Sequence, residues 1–178
     1  MSRLNIVNHD TATGAAAELL DNVKAGMGAV PNITKVMVNQ PAVLEMFLNI
    51  GGALSKGSFD AKTREAIALT VAGANKCDYC ASAHSAISQS LKVEQSEVDQ
   101  NLQGKSSDAK LAALLTFSAA IVNKQGMVSD DDIATFKSAG YDDSAVVEAT
   151  ANVSANIFTN YINHVAQTDI DFPEVKTS

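Results

Sequence analysis

Along most of this chain apolar side chains recur every three or four positions, the spacing of helices with one buried face. Nowhere do β-branched or aromatic residues alternate with polar ones as a half-buried strand requires. The Ala/Leu-rich segment from Ala12 to Ala25 is the first predicted helix, and the stretch from Gly26 to Asn32, with Gly28 and Pro31, breaks it. Ile33, Val36, Met37 and Val38 predict a short helix ending before Pro41. From Ala42 the positions Val43, Leu44, Phe47, Leu48 and Leu54 predict another, closed by Lys56-Gly57-Ser58. Asp60 is the expected N-cap of a helix from Ala61 to about Ala72, and a further segment runs from Lys76 to Leu91. Ser107 or Asp108 caps a helix through Val122, and Ser129 opens one that stops at Gly140. A last long helix extends from Asp143 or Ser144 to about Thr168, with the tail from about Asp169, containing Pro173, expected as an extended arm. The expectation is an all-α, single-domain bundle over residues 1–178, built of about seven or eight helices.

Composition agrees with one buried core: 178 residues, 46% of them apolar, are enough for a domain of ordinary size. Twenty acidic against 13 basic residues give a net charge of −7, and no Lys/Arg cluster interrupts it, which argues against a nucleic-acid partner. The first ten residues lack the apolar core of a secretion signal, and no apolar run reaches the roughly 18 residues of a membrane span. A cytoplasmic protein is expected.

Only two cysteines occur, as Cys77-Asp78-Tyr79-Cys80. In a reducing compartment such a pair points to redox or metal chemistry rather than a structural staple. His84 lies four positions beyond Cys80, and Glu65 twelve before Cys77. In one unbroken helix Glu65 would stand about 18 Å from Cys77, so joint chemistry needs a break, which Gly73-Ala74-Asn75 is expected to supply. With Asn75 as N-cap, Cys77 would fall in the first helical turn, where the helix dipole favours a thiolate, whereas His84 is one turn from Cys80. Dipole and base therefore point to different sulfurs. A thioredoxin-type site would need a preceding strand, and zinc would need four ligands where the local set offers two Cys and one His, with His9 and His164 remote.

Bland readings stand beside these. Glu65, near Lys62 and Arg64, has the composition of an exposed helix charge, and His84 taken alone is as readily a solvated helix residue. Tyr79 is expected to pack, with its hydroxyl as a secondary candidate for a relay water. Met27, Met37, Met46 and Met127 read as core or interface filler, His164 as a structural hydrogen-bonding residue, and Asp130-Asp131-Asp132 as complements to a helix dipole rather than calcium ligands.

Glu65, Cys77-x-x-Cys80 and His84, within Arg64-Glu65-Ala66-Ile67-Ala68-Leu69 and Asn75-Lys76-Cys77-Asp78-Tyr79-Cys80-Ala81-Ser82-Ala83-His84, resemble the alkyl hydroperoxidase D-like branch of the carboxymuconolactone decarboxylase family. The resemblance covers about residues 40–95 and implies an all-helical fold that assembles as a homotrimer or homohexamer. It implies a peroxidase in which Cys80 is the peroxidatic residue, Cys77 the proton donor and resolving thiol, and Glu65 with His84 the proton relay. It further implies no bound cofactor and an external dithiol reductant, a lipoylated or thioredoxin-like protein, that reopens the Cys77–Cys80 disulfide. One departure is visible: Tyr79 stands where the best-known member has histidine. The rival expectations are a protein disulfide reductase or redox sensor, a lactone decarboxylase that does not need the dithiol, and a non-catalytic helical assembly module.

Overall fold

The computed structural model describes residues 1–177, and among these every regular element is a helix. After a 3-10 turn at His9–Thr11 come nine α-helices: α1 (Gly14–Met27), α2 (Asn32–Met37), α3 (Pro41–Leu54), α4 (Ala61–Asn75), α5 (Asp78–Ser90), α6 (Gln95–Leu102), α7 (Ala109–Asn123), α8 (Asp130–Ser138) and α9 (Asp143–Ala166). Eight of them answer the predicted segments; the addition is α6, which contributes only Val98 and Asn101 to the interior. The expected caps appear at Asp60, Asp108 and Ser129, the last as a reciprocal capping box with Asp132.

The bundle is organised around α4, which packs against α5, α6, α7 and α9. Its stretch from Ala66 to Ala72 is buried without interruption, as befits a helix enclosed on all sides. One core unites Ile67 and Val71 with Leu114, Leu115, Phe117, Phe136, Ala149 and Val153. A second joins Leu20, Val23, Met37 and Leu44 to Ala72, Cys77, Tyr79 and Cys80. Each large side chain buried here is worth about 1.5–3 kcal/mol, so the cysteines sit in a wall that packing holds still.

The expected break at Gly73-Ala74-Asn75 does not occur: α4 runs through all three residues. Gly73 is required instead because a Cβ there would collide with the Leu102 carbonyl oxygen, at the end of α6. The chain turns one residue later, where Lys76 takes the left-handed conformation (φ 55°, ψ 47°) and caps α4 by donating its backbone N–H to the carbonyls of Ala72 and Gly73. The tail after α9 follows an extended course, as expected, and is tied back to α5. The Val175 N–H donates to Ser82 Oγ (2.8 Å), the Thr177 N–H to Asp78 Oδ1 (2.9 Å), and Lys176 pairs with Asp78 (3.2 Å).

Candidate active site

Because the link between α4 and α5 is only Lys76 and Cys77, α5 folds straight back along α4. Asn75 is not the N-cap of α5. Cys77 itself holds that place, with extended backbone (φ −99°, ψ 93°), and its sulfur accepts the Cys80 backbone N–H at 3.4 Å. The Asn75 amide is used elsewhere, donating to Asn160 Oδ1 at 3.0 Å. A sulfur in the cap position meets the free N–H groups at the positive helix end, the setting in which a thiolate is favoured.

The Cys77 and Cys80 sulfurs lie 2.8 Å apart, both as free thiols and both buried. The hydrogen bond shared with the Cys80 thiol, the Cys80 backbone N–H and the nearby His84 charge outweigh burial and hold the Cys77 thiol below the ordinary cysteine value. Cys80 is pushed the other way, by its hydrogen bond with Cys77, by burial and by the Cys77 charge. The Asn163 Nδ2 donates to Cys80 Sγ at 3.2 Å, which opposes that rise. Cys77 is thus the more acidic thiol of the pair.

Glu65 and His84 meet across the α4–α5 hairpin, with Glu65 Oε2 2.7 Å from His84 Nδ1. Neither is the solvated charge that helix composition allows, since their side chains are only 18% and 21% exposed. Burial alone would lower the His84 pKa; the Glu65 charge and hydrogen bond, with the Cys77 charge, overcome it and hold His84 above the ordinary histidine value. The Glu65 carboxylate thus meets His84 rather than a sulfur.

Tyr79 is a packing residue whose hydroxyl is engaged by the protein. It accepts the Ile33 N–H (3.1 Å) and donates to Asp171 Oδ1 (2.8 Å), while its ring meets Phe172 edge-on at 5.8 Å between centroids. That places the C-terminal tail in the wall of the site. His164 contacts the Lys76 carbonyl at 3.3 Å, the structural bond expected of it, and His9 faces Asp21 at 2.7 Å.

Two cavities flank the sulfurs. Cys80, Glu65 and His84 line a mainly apolar cavity of about 260 Å³ walled by Phe47, Ile50 and Ala68 among others. Cys77 lines a separate, polar groove of about 740 Å³ with Lys76, Asp78, His164 and Asp169. Tyr79, Asn163 and Phe172 border both. Among the described residues no group of three or more His, Cys, Asp and Glu side chains is placed to hold a metal ion, and no helix is long and apolar enough to cross a membrane.

The sequence reading missed Asn160, Asn163, Asp171 and Phe172. A signal existed for the first two: Asn152, Asn156, Asn160 and Asn163 recur at helical spacing along α9, and three of them are buried, where an amide without a purpose is costly. Asn160 Nδ2 and Asn163 Oδ1 have no hydrogen-bond partner in this state.

Residues 41–122 match the carboxymuconolactone decarboxylase family. A 45-residue stretch is 47% identical to an uncharacterised protein of Haemophilus influenzae; it makes up 25% of this chain and spans 40% of that relative. Among solved structures, an uncharacterised peroxidase-related protein from Ralstonia eutropha JMP134, described as an alkylhydroperoxidase AhpD core, superposes with a TM-score of 0.85 at 20% identity, covering 96% of this chain and 92% of that one. A peroxidase-related protein from Silicibacter sp. TM1040 gives 0.80 at 19% identity, covering 95% and 94%. The debrominase Bmp8, as a cysteine-to-alanine variant in complex with 2,3,4-tribromopyrrole, gives 0.79 at 18% identity, covering 96% and 94%. At these identities the likeness is one of fold.

Proposed function

We propose that this chain, whose residues 41–122 match the carboxymuconolactone decarboxylase family, is a thiol-dependent peroxidase that reduces organic hydroperoxides through a Cys77–Cys80 dithiol/disulfide cycle. The observation that carries this reading is the 2.8 Å sulfur pair with Cys80 opening on an apolar cavity that also holds the Glu65–His84 pair.

Cys80 gives its proton to the Cys77 thiolate as its sulfur attacks the terminal oxygen of the hydroperoxide. The O–O bond breaks, Cys80 becomes a sulfenic acid, and the departing alkoxide takes a proton from His84, which Glu65 keeps charged. Cys77 then passes its proton to His84 and attacks the Cys80 sulfur. Hydroxide leaves, collects that proton as water, and the disulfide has formed with two electrons transferred to the peroxide. The sulfurs need to approach by less than ~1 Å to reach the ~2.05 Å of a disulfide bond. An external dithiol, free or on a lipoylated or thioredoxin-like protein, restores the pair.

The test is single-turnover oxidation by cumene hydroperoxide, followed by mass spectrometry. Wild type should lose two hydrogens per chain, Cys77→Ser should accumulate one added oxygen on Cys80, and Cys80→Ser should react at least a hundredfold more slowly. An unchanged rate in Cys80→Ser would remove the proposed nucleophile. The debrominase relative makes a halogenated aromatic the second substrate class for the apolar cavity, and bromide release from a bromopyrrole by the reduced protein decides between them.

We also propose the homotrimer or homohexamer that the resemblance implies, to which Val147, Tyr161 and Val165, exposed along α9, would offer apolar side chains. Sedimentation equilibrium measures it directly.

A further inference from the structure

The two sulfurs of the pair open onto different cavities, and this division has a chemical consequence. Displacement at a disulfide sulfur requires the incoming thiolate to approach in line with the S–S bond, opposite the sulfur that leaves. Once Cys77 and Cys80 are joined, the bond runs between the apolar cavity, which Cys80 lines, and the polar groove, which Cys77 lines. In-line attack from the cavity strikes Cys80; in-line attack from the groove strikes Cys77.

We propose that the polar groove beside Cys77 is a second substrate site, which receives the reducing dithiol, so that peroxide and reductant reach the same disulfide couple from opposite faces. The proposal rests on the peroxidase reading and adds to it a binding site and the identity of the attacked sulfur. Three features of the molecule support it. Tyr79, Asn163 and Phe172 border both cavities and form the partition between them, with Tyr79 pinned by Ile33 and Asp171 and Phe172 stacked edge-on against it. The lining of the groove is polar, with Lys76, Asp78, His164, Asp169 and Glu174 in its wall to meet a polar dithiol, whereas the cavity is walled mainly by carbon. The leaving sulfur, Cys80, already accepts the Asn163 amide at 3.2 Å, so negative charge released on it meets a donor in place.

The step balances. A reductant thiolate bonds to Cys77 Sγ, the Cys77–Cys80 bond breaks, and its electron pair leaves on Cys80, which takes up a proton. The second thiol of the reductant attacks its own sulfur in the mixed disulfide, expels Cys77 as a thiolate, and departs as a cyclic disulfide. The protein gains two electrons and the dithiol loses them.

The experiment separates the half-reactions and blocks one face at a time. Gly51→Phe fills the cavity side, where a Cβ has no atom within 4 Å, and His164→Trp fills the groove from the exposed surface of α9. Oxidation is followed with cumene hydroperoxide. Reduction is followed with dithiothreitol on protein whose disulfide was made with diamide, so this arm does not depend on peroxide turnover. Expected is a tenfold or greater slowing of oxidation alone in Gly51→Phe and of reduction alone in His164→Trp, with the other half-reaction within twofold. A second measurement needs no variant: cysteamine added to the diamide-oxidised protein and quenched in acid should leave its mixed disulfide on Cys77 by peptide fragmentation. Slowing of reduction in Gly51→Phe, no slowing in His164→Trp, or cysteamine found on Cys80 would overturn the proposal. Loss of peroxide oxidation in wild type, with both reduction results as expected, would instead sink the peroxidase reading.

Discussion

At the scale of single residues, the site is a chain of proton positions whose preferences are set by neighbours. His84 is held protonated by Glu65 against the pull of burial. A group whose pKa is raised on folding adds stability that is complete below its ordinary value, about 6.5, and fades as pH rises through the raised one. Glu65→Gln should therefore cost most thermal stability at pH 5.5 and little at pH 9, as melting curves at both values will show. In turnover, loss of the carboxylate leaves only the Cys77 charge to oppose burial, so the alkaline limb of the rate profile should move to lower pH and the peroxide rate at pH 7.5 should fall about tenfold or more. Glu65, Cys77, Cys80 and His84 could be nominated from sequence because three of them share one short helix at steps of three and four, and the fourth lies one hairpin away. Asn163 and Asp171 could not, because each reaches the motif only through the return of the chain more than eighty residues later.

At the scale of elements, helical periodicity located α1 to α5 and α7 to α9 within a few residues, since each of those helices has a sustained apolar face or a side-chain cap. It passed over α6, whose eight residues, Gln95–Leu102, include only Val98 and Leu102 as apolar positions. The same omission explains the misplaced break in α4. Gly73 reads locally as a helix stop, and only the approach of the Leu102 carbonyl reveals that it is there for closeness. Gly73→Ala should accordingly destabilise the protein by about 1–3 kcal/mol in chemical denaturation, although alanine is the better helix former. A stabilised Gly73→Ala variant would show that the α4–α6 contact yields easily.

At the scale of the whole molecule, the tail completes the site. Residues from Asp169 onward return to α2 and α5, with Asp171 bridging the Asn32 N–H and the Tyr79 hydroxyl at 2.8 Å each, and Phe172 standing between the two cavities. Phe172→Ala removes one of the three side chains of that partition. Its expected effect is at least a fivefold faster reaction of Cys80 with a bulky aromatic disulfide reagent, read as chromophore release in a Cys77→Ser background. An unchanged rate would mean that Tyr79 and Asn163 suffice to keep the cavities apart.

Cys77 starts α5 by accepting the Cys80 amide on its sulfur, and the same sulfur is consumed when the disulfide forms. A divalent sulfur is a far poorer acceptor than a thiolate, so closing the proposed Cys77–Cys80 disulfide should loosen the first turn of the helix and reopening it should reseal that turn. The backbone amide of Cys80 should exchange with deuterium several-fold faster in oxidised protein than in reduced, while amides in the middle of α4 keep their rate. In the proposed cycle, helix capping and electron transfer would draw on one atom, so the start of α5 would report the oxidation state of the pair.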